Sequence, residues 1–305
     1  MTADLDPALE AVILDAWPDA EPDGVTALEA GITNSNFRVD VAGGSFVVRL
    51  AGKDTGLLGI DREAEFRAAT AAAAAGVAPE VVAFLPEHGA LVTRFVEADP
   101  LPSEDLERRD VLERVVASVK AIHAMGPIPT AFDAFRVVEE YREVAAARRV
   151  PIPRAYDDAH ERAAAIEKTF SAAPIPPRPC HNDLLNANFL VANDRVVIVD
   201  YEYAGMGDPF FDLGNLSVNN GISRDAQRTL LELYFGRVTP ANEARLCLMR
   251  IMSDFREAMW GVVQQGISTL DVDYVEYADR HFARCLASAA DERFGTWLVN
   301  AAGEV

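Results

Sequence analysis

Residues 180–200 read C-H-N-D-L-L-N-A-N-F-L-V-A-N-D-R-V-V-I-V-D, and four polar residues in that stretch are spaced for chemistry: His181, Asp183, Asn188 and Asp200. Two short apolar runs, 189–192 and 196–199, flank Asn193-Asp194, a turn pair. The pattern predicts a β-hairpin. A hairpin returns the chain to its start, so Asn188 and Asp200 should lie side by side. A carboxylate and an amide oxygen there suit a hard cation such as Mg²⁺, with phosphate oxygens completing its shell. Asp183 stands in the loop just before, where it can accept a proton from an attacking hydroxyl. The alternative is a hairpin whose polar residues only cap and turn.

The elements that must position this stretch follow from the remaining pattern. An amphipathic helix is expected over 8–17, stopped by Pro18, and a strand over 25–30. Then comes G-I-T-N-S-N-F (31–37), a small polar loop whose backbone N–H groups, with the hydroxyls of Thr33 and Ser35, could approach phosphate oxygens. Any β-meander can carry such a loop. The strand S-F-V-V-R-L (45–50) holds one charge, Arg49, which ordinarily marks an edge or a solvent face. A helix over 61–75 brings Glu63 and Glu65 in its first turn and ends at Gly76. Strands over 81–85 and 91–96 complete the first part. Near residue 98 the composition turns from β-branched strands to long helices. These are expected from Ser103, as N-cap, to about 125, then over 134–149, 155–171, 209–218, 223–235, 240–265 and 271–290.

The 305 residues suffice for two lobes with a full core. A formal charge of −20 without a basic stripe argues against nucleic acid as a partner. An acidic chain suits a cationic substrate, or simply keeps the protein soluble. The three Cys have no metal-ligand spacing and are too few for a disulfide scaffold. No apolar run reaches membrane length and the first residues are not a signal peptide, so a cytoplasmic protein without membrane insertion is expected. His88, His123, His160 and His281 are scattered and read as ordinary surface or core histidines. There is no G-x4-G-K-[ST] loop: Val47 stands where Gly52-Lys53 would need a glycine.

H-x-D-x4-N followed by a strand-end Asp is similar to the catalytic and metal-binding segment of kinases. With H-N-D-L-L-N-A-N-F-L (181–190), D-Y-E-Y-A-G-M-G-D-P-F-F-D-L-G-N (200–215), W-G-V-V-Q-Q-G-I-S (260–268) and the 31–37 loop, the chain resembles the choline/ethanolamine kinase branch of the aminoglycoside phosphotransferase (kinase-like) superfamily. R-E-A-E (62–65) and G-V-A-P (76–79) agree. The resemblance implies a bilobal α+β, protein-kinase-like fold. Residues 1–98 would form a nucleotide-binding N-lobe, an antiparallel sheet with one main helix. Residues 99–305 would form a mostly helical C-lobe that carries catalysis and acceptor binding. It implies ATP and Mg²⁺, with the γ-phosphate passing to choline or a similar small cationic amino alcohol. Asp183 would deprotonate the hydroxyl, and Asn188 and Asp200 would hold the metal. Arg49, set by Glu65, would hold phosphates under Thr33, Asn34, Ser35 and Asn36. Adenine would meet the linker at Phe95 and Val96. Tyr203, Trp260 and Tyr277 would cage the ammonium, with Glu202 and Glu257 adding negative charge. His181 and Asp212 would brace the catalytic loop. The family often has a second Trp where this chain has Glu257. An aminoglycoside, thiamine or amino-sugar kinase, or a non-catalytic nucleotide-binding scaffold, are the alternatives.

Overall fold

The structure, a computed structural model, describes residues 6–28, 34–41 and 43–305. Helix α1 (Pro7–Ala16) starts where the Asp6 carboxylate accepts from Ala8 N at 2.8 Å, and Pro7 fills a first-turn position whose N–H needs no partner. Leu9, Val12 and Ile13 recur on one helical face and are buried. They pack on a five-stranded antiparallel sheet of β1 (Gly24–Leu28), β2 (Ser35–Val41), β3 (Gly44–Leu50), β4 (Val81–Leu85) and β5 (Ala90–Arg94), in the order β1-β2-β3-β5-β4.

Period-two alternation splits β3. Phe46, Val48 and Leu50 enter the core under α1, while Val47 and Arg49 turn to the opposite face. Arg49 therefore sits on the central strand, not an edge. Register sets Asn36 of β2 and Leu91 of β5 on either side of it. Helix α2 (Arg62–Ala74) crosses this second face, with Asp61 capping Glu63 N and Ala64 N. Its alanines Ala68, Ala69 and Ala72 are buried and allow a close approach.

The chain leaves the sheet through residues 95–101, where Leu101 N donates to Phe189 O at 2.8 Å. The second half is mostly helical: α3 (Arg109–His123), α4 (Ala134–Ala147), α5 (Ala155–Ala172), α6 (Pro209–Asn219), α7 (Arg224–Phe235), α8 (Pro240–Ile267), α9 (Tyr274–Ala289) and α10 (Phe294–Asn300). Two small antiparallel pairs complete it: β6 (Arg178–Cys180) with β9 (Gly205–Gly207), and the expected hairpin β7 (Phe189–Ala192) with β8 (Arg195–Ile198). The helix expected from Ser103 is broken. Ser103–Glu107 forms a 3₁₀ turn that buries Leu106, Arg108 is extended, and α3 starts only at Arg109, so Ser103 caps nothing. The β6–β9 pair and α10 escaped the sequence pattern because three-residue strands and a seven-residue helix carry almost no periodicity.

Helix α8 is the spine of this half. It is buried almost continuously from Ile251 to Gln264. Gly214 lets α6 meet it backbone to backbone: a Cβ there would lie 2.7 Å from the Met249 carbonyl carbon.

Candidate active site

Between the sheet and the helical half lies a cleft of about 600 Å³. Its floor is the loop 181–188, held through both its backbone and its side chains. The Asp212 carboxylate on α6 accepts from His181 N at 2.8 Å, Asn182 N at 2.6 Å and His123 Nε2 at 2.9 Å. Burial alone would raise the Asp212 carboxyl, but the bond and charge of His123 outweigh it and hold it below its ordinary value. Asn182 adopts a left-handed backbone (φ 66°), which aims both amides at one carboxylate. Asn215, one turn along α6, accepts from Leu184 N at 2.6 Å. His181 accepts from Asp183 N through Nδ1 and reaches Val199 O through Nε2, a pattern only the neutral ring satisfies. Burial lowers its pKa, in agreement. The expected brace of His181 and Asp212 is present. His123, read as an ordinary histidine, belongs to it as well.

The hairpin brings Asn188 and Asp200 together: Val199 N donates to Asn188 O at 3.0 Å. Asn188 Nδ2 donates to Asp183 O at 2.9 Å, which leaves its amide oxygen to the cleft. Asp200 takes a left-handed backbone (φ 69°) and meets Arg49 Nη1 at 2.8 Å. Arg49 also pairs with Glu65 of α2. Arg62, unforeseen from the sequence, bonds Glu65 at 2.8 Å, Glu202 at 3.2 Å and Asn34 at 3.0 Å. Asn34 in turn donates to Glu202 at 2.9 Å. Glu202 thus faces the two arginines rather than the expected ammonium cage. The reason is local: in D-Y-E-Y the first and third residues turn together toward Arg49, while Tyr201 turns to the His181 ring.

The opposite end is aromatic. Trp260 Nε1 donates to Tyr203 OH at 3.0 Å, and the Trp260 ring lies 5.4 Å from that of Tyr277. Tyr277 OH donates to Glu257 at 2.8 Å, and Glu257 meets Arg256 Nη1 at 2.5 Å. Glu257 was expected to attract a cation, but its charge is met by Arg256 inside the protein. The Arg256 guanidinium stacks 4.3 Å from the Tyr203 centroid, and its Nη1 lies 3.4 Å from Asp183 Oδ1. Burial pushes the Asp183 carboxyl up to about 8; Arg256 opposes this, and Glu257, Asp200 and Glu202 add to it.

Of the residues singled out in the sequence, Asn34, Asn36, Arg49, Glu65, Asp183, Asn188, Asp200, Glu202, Tyr203, Glu257, Trp260 and Tyr277 all line this one cleft. Phe95 and Val96 also line it, but Phe95 N already donates to Ser45 O at 2.9 Å, so that amide is unavailable to a base. Ser35 is exposed and lies outside the lining, because strand alternation sends it to the face opposite Asn34 and Asn36. Thr33 lies outside the described residues.

A family model described as "Phosphotransferase enzyme family" matches residues 24–248. LicA of Haemophilus influenzae is 29% identical over 210 residues, covering 67% of this chain and 60% of that protein. Ethanolamine kinase 2 of Mus musculus is 28% identical over 262 residues, covering 76% of this chain and 66% of that one. The chain thus spans less than two thirds of the length of either relative. The solved structure of a choline/ethanolamine kinase family protein from Mesorhizobium loti superposes with a TM-score of 0.80 at 33% identity, covering 92% of each chain.

Proposed function

Because the chain belongs to the phosphotransferase enzyme family, we propose that it moves the γ-phosphate of ATP to the hydroxyl of choline or a similar small amino alcohol. The observation that carries this reading is that Asp183 shares one cleft with a phosphate-side and an ammonium-side set of groups. The oxygen-donor pair Asn188 and Asp200 with Arg49, and the aromatic wall of Tyr203, Trp260 and Tyr277, line the same cleft. The division at residue 98, with the nucleotide held by the first part and the acceptor by the second, is part of the same proposal. Among the described residues no helix is long and apolar enough to cross a membrane.

The residues fit the chemistry in turn. Asn188 and Asp200 offer an amide oxygen and a carboxylate, a hard-oxygen donor set of the kind Mg²⁺ takes. Bound Mg²⁺ would neutralise charge developing on the transferred phosphate. Arg49, with Glu65 fixing its far nitrogen, offers donors to phosphate oxygens. Asp183 Oδ1 is held by Arg256, and among the described residues Oδ2 has no recorded partner; it is the oxygen that accepts the hydroxyl proton. With its carboxyl pushed up to about 8, Asp183 is a stronger proton acceptor than an exposed carboxylate once it is ionised, so acceptor turnover should rise with pH toward that value. Trp260, Tyr203 and Tyr277 present ring faces, which attract an ammonium at about 0.5–2 kcal/mol per good contact.

The test is ADP release with MgATP against choline, ethanolamine, thiamine and an aminoglycoside. Release driven by an amino alcohol is expected. Release driven only by the aminoglycoside, or by no acceptor above the water rate, would overturn the reading.

A further inference from the structure

Resting on the reading of Asp183 as proton acceptor, we infer that Arg256 is a positioning residue for phosphoryl transfer. It anchors one carboxylate oxygen of Asp183 and leaves the other to the acceptor hydroxyl. The residue is 1% exposed and sits inside α8, where every neighbour on the helix is buried. One nitrogen does the work. Nη1 carries two hydrogens, and its two partners are Asp183 Oδ1 at 3.4 Å and Glu257 Oε1 at 2.5 Å. Glu257 is in turn fixed by Tyr277 OH at 2.8 Å and Asn219 Nδ2 at 3.4 Å. The guanidinium plane rests on Tyr203, whose hydroxyl is tied to Trp260. The nitrogen facing Asp183 is therefore held from three sides.

Stability does not account for this arrangement. Arg256 Nε and Nη2 are buried without a hydrogen-bond partner among the described residues, and a buried ion pair with unfilled donors is commonly no better than apolar side chains of like volume. Among the described residues Arg256 also makes the one recorded hydrogen bond to the Asp183 carboxylate. Without it that group would rotate freely beside Asp200, Glu202 and Glu257. Holding it aligned before the acceptor arrives removes an ordering cost from the transition state.

The test is a double-mutant cycle on acceptor-dependent turnover. Arg256→Lys should lower kcat about 10-fold or more with the KM for ATP within about twofold of wild type. In an Asp183→Asn background, the same change should move the residual kcat less than about threefold, because Arg256 acts through that carboxylate. Additive losses in the two backgrounds, or an unchanged kcat in Arg256→Lys, overturn the inference. Should Arg256→Lys fail to fold, the pair Arg256→Met with Glu257→Leu removes both charges together and is read in the same cycle. Should the wild type phosphorylate none of the acceptors, the proposed function fails on its own. The inference is then decided by the crystal structure of Arg256→Lys or of that pair. A displaced Asp183 carboxylate supports it, and an unmoved one overturns it.

Discussion

Replacing Asp183 with Asn should cut turnover by orders of magnitude and, at the same time, stabilise the nucleotide-free fold at neutral and higher pH. In the unfolded chain the carboxyl titrates near about 3.9; in the fold burial moves it up to about 8. Below about pH 4 both states are protonated, and wild type and variant differ little. Between those values the unfolded state has released its proton while the folded state keeps it, so wild-type stability falls as pH rises. Above about pH 8 the loss is complete and level. The full interval of about 4 pH units corresponds to about 5 kcal/mol at 1.36 kcal/mol per unit. The side chain is 14% exposed on the open cleft, where water screens it, and about a third of that value, about 2 kcal/mol, should survive. For 305 residues this is a melting-point difference of about 3 °C. The assay is a pair of circular-dichroism melts at pH 5 and pH 8.5, free of metal and nucleotide. About three quarters of that interval lies between the two pH values, so the gap between variant and wild type should widen by about 2 °C at the higher pH, while acceptor-dependent kcat drops by about 10²–10⁴. A gap independent of pH would refute the assigned burial cost, and full turnover by the folded variant would refute the role of Asp183.

Asp200→Ala should remove Mg²⁺-dependent ATP binding measured by calorimetry. Asn188→Ala should weaken it less, because a neutral amide contributes less to a cation; unchanged Mg²⁺ dependence in both would place the metal elsewhere. Trp260 is 4% exposed and packed among Tyr203, Tyr274 and Tyr277, so Trp260→Ala should cost about 3–5 kcal/mol of stability. Trp260→Phe keeps a ring face and should instead raise the acceptor KM severalfold with the KM for ATP unchanged; equal changes in both would count against the acceptor wall. A Cβ at Gly261 would lie 2.8 Å from Tyr277 Cδ1, so Gly261→Ala should push Tyr277 off Glu257 and raise the acceptor KM alone. Unaltered acceptor kinetics would remove Tyr277 from the site.

What the sequence revealed was local. Asn188 and Asp200 were legible as neighbours because a single hairpin joins them. Arg49 and Glu65 were legible because strand alternation and a helix start fix their directions. The contacts that escaped are the distant ones: Arg62 with Glu202 is separated by 140 residues, and His123 with Asp212 by 89. Neither histidine nor arginine carries in its spacing any record of a partner so far along the chain. Glu202 illustrates the limit from the other side. Its neighbour Tyr203 joins the aromatic wall while Glu202 turns to the arginines, a division that depends on how one loop sits against α2.

Arg256 could have been suspected from α8 itself. The run I-M-S-D-F-R-E-A-M-W-G-V-V places Asp254, Arg256 and Glu257 inside a segment apolar on every other side. Such a helix must be surrounded by protein, since no single face is left for solvent. A charge inside it cannot reach water, so it must either be paired or be neutral. Each of the three is paired: Asp254 with Arg284 and His281, Arg256 with Glu257, and Glu257 with Tyr277 besides. Only Arg256 has a hydrogen left for a carboxylate in the cleft. The sequence therefore announces a polar site against this turn of α8, but the fold alone decides that Asp183 is what it meets.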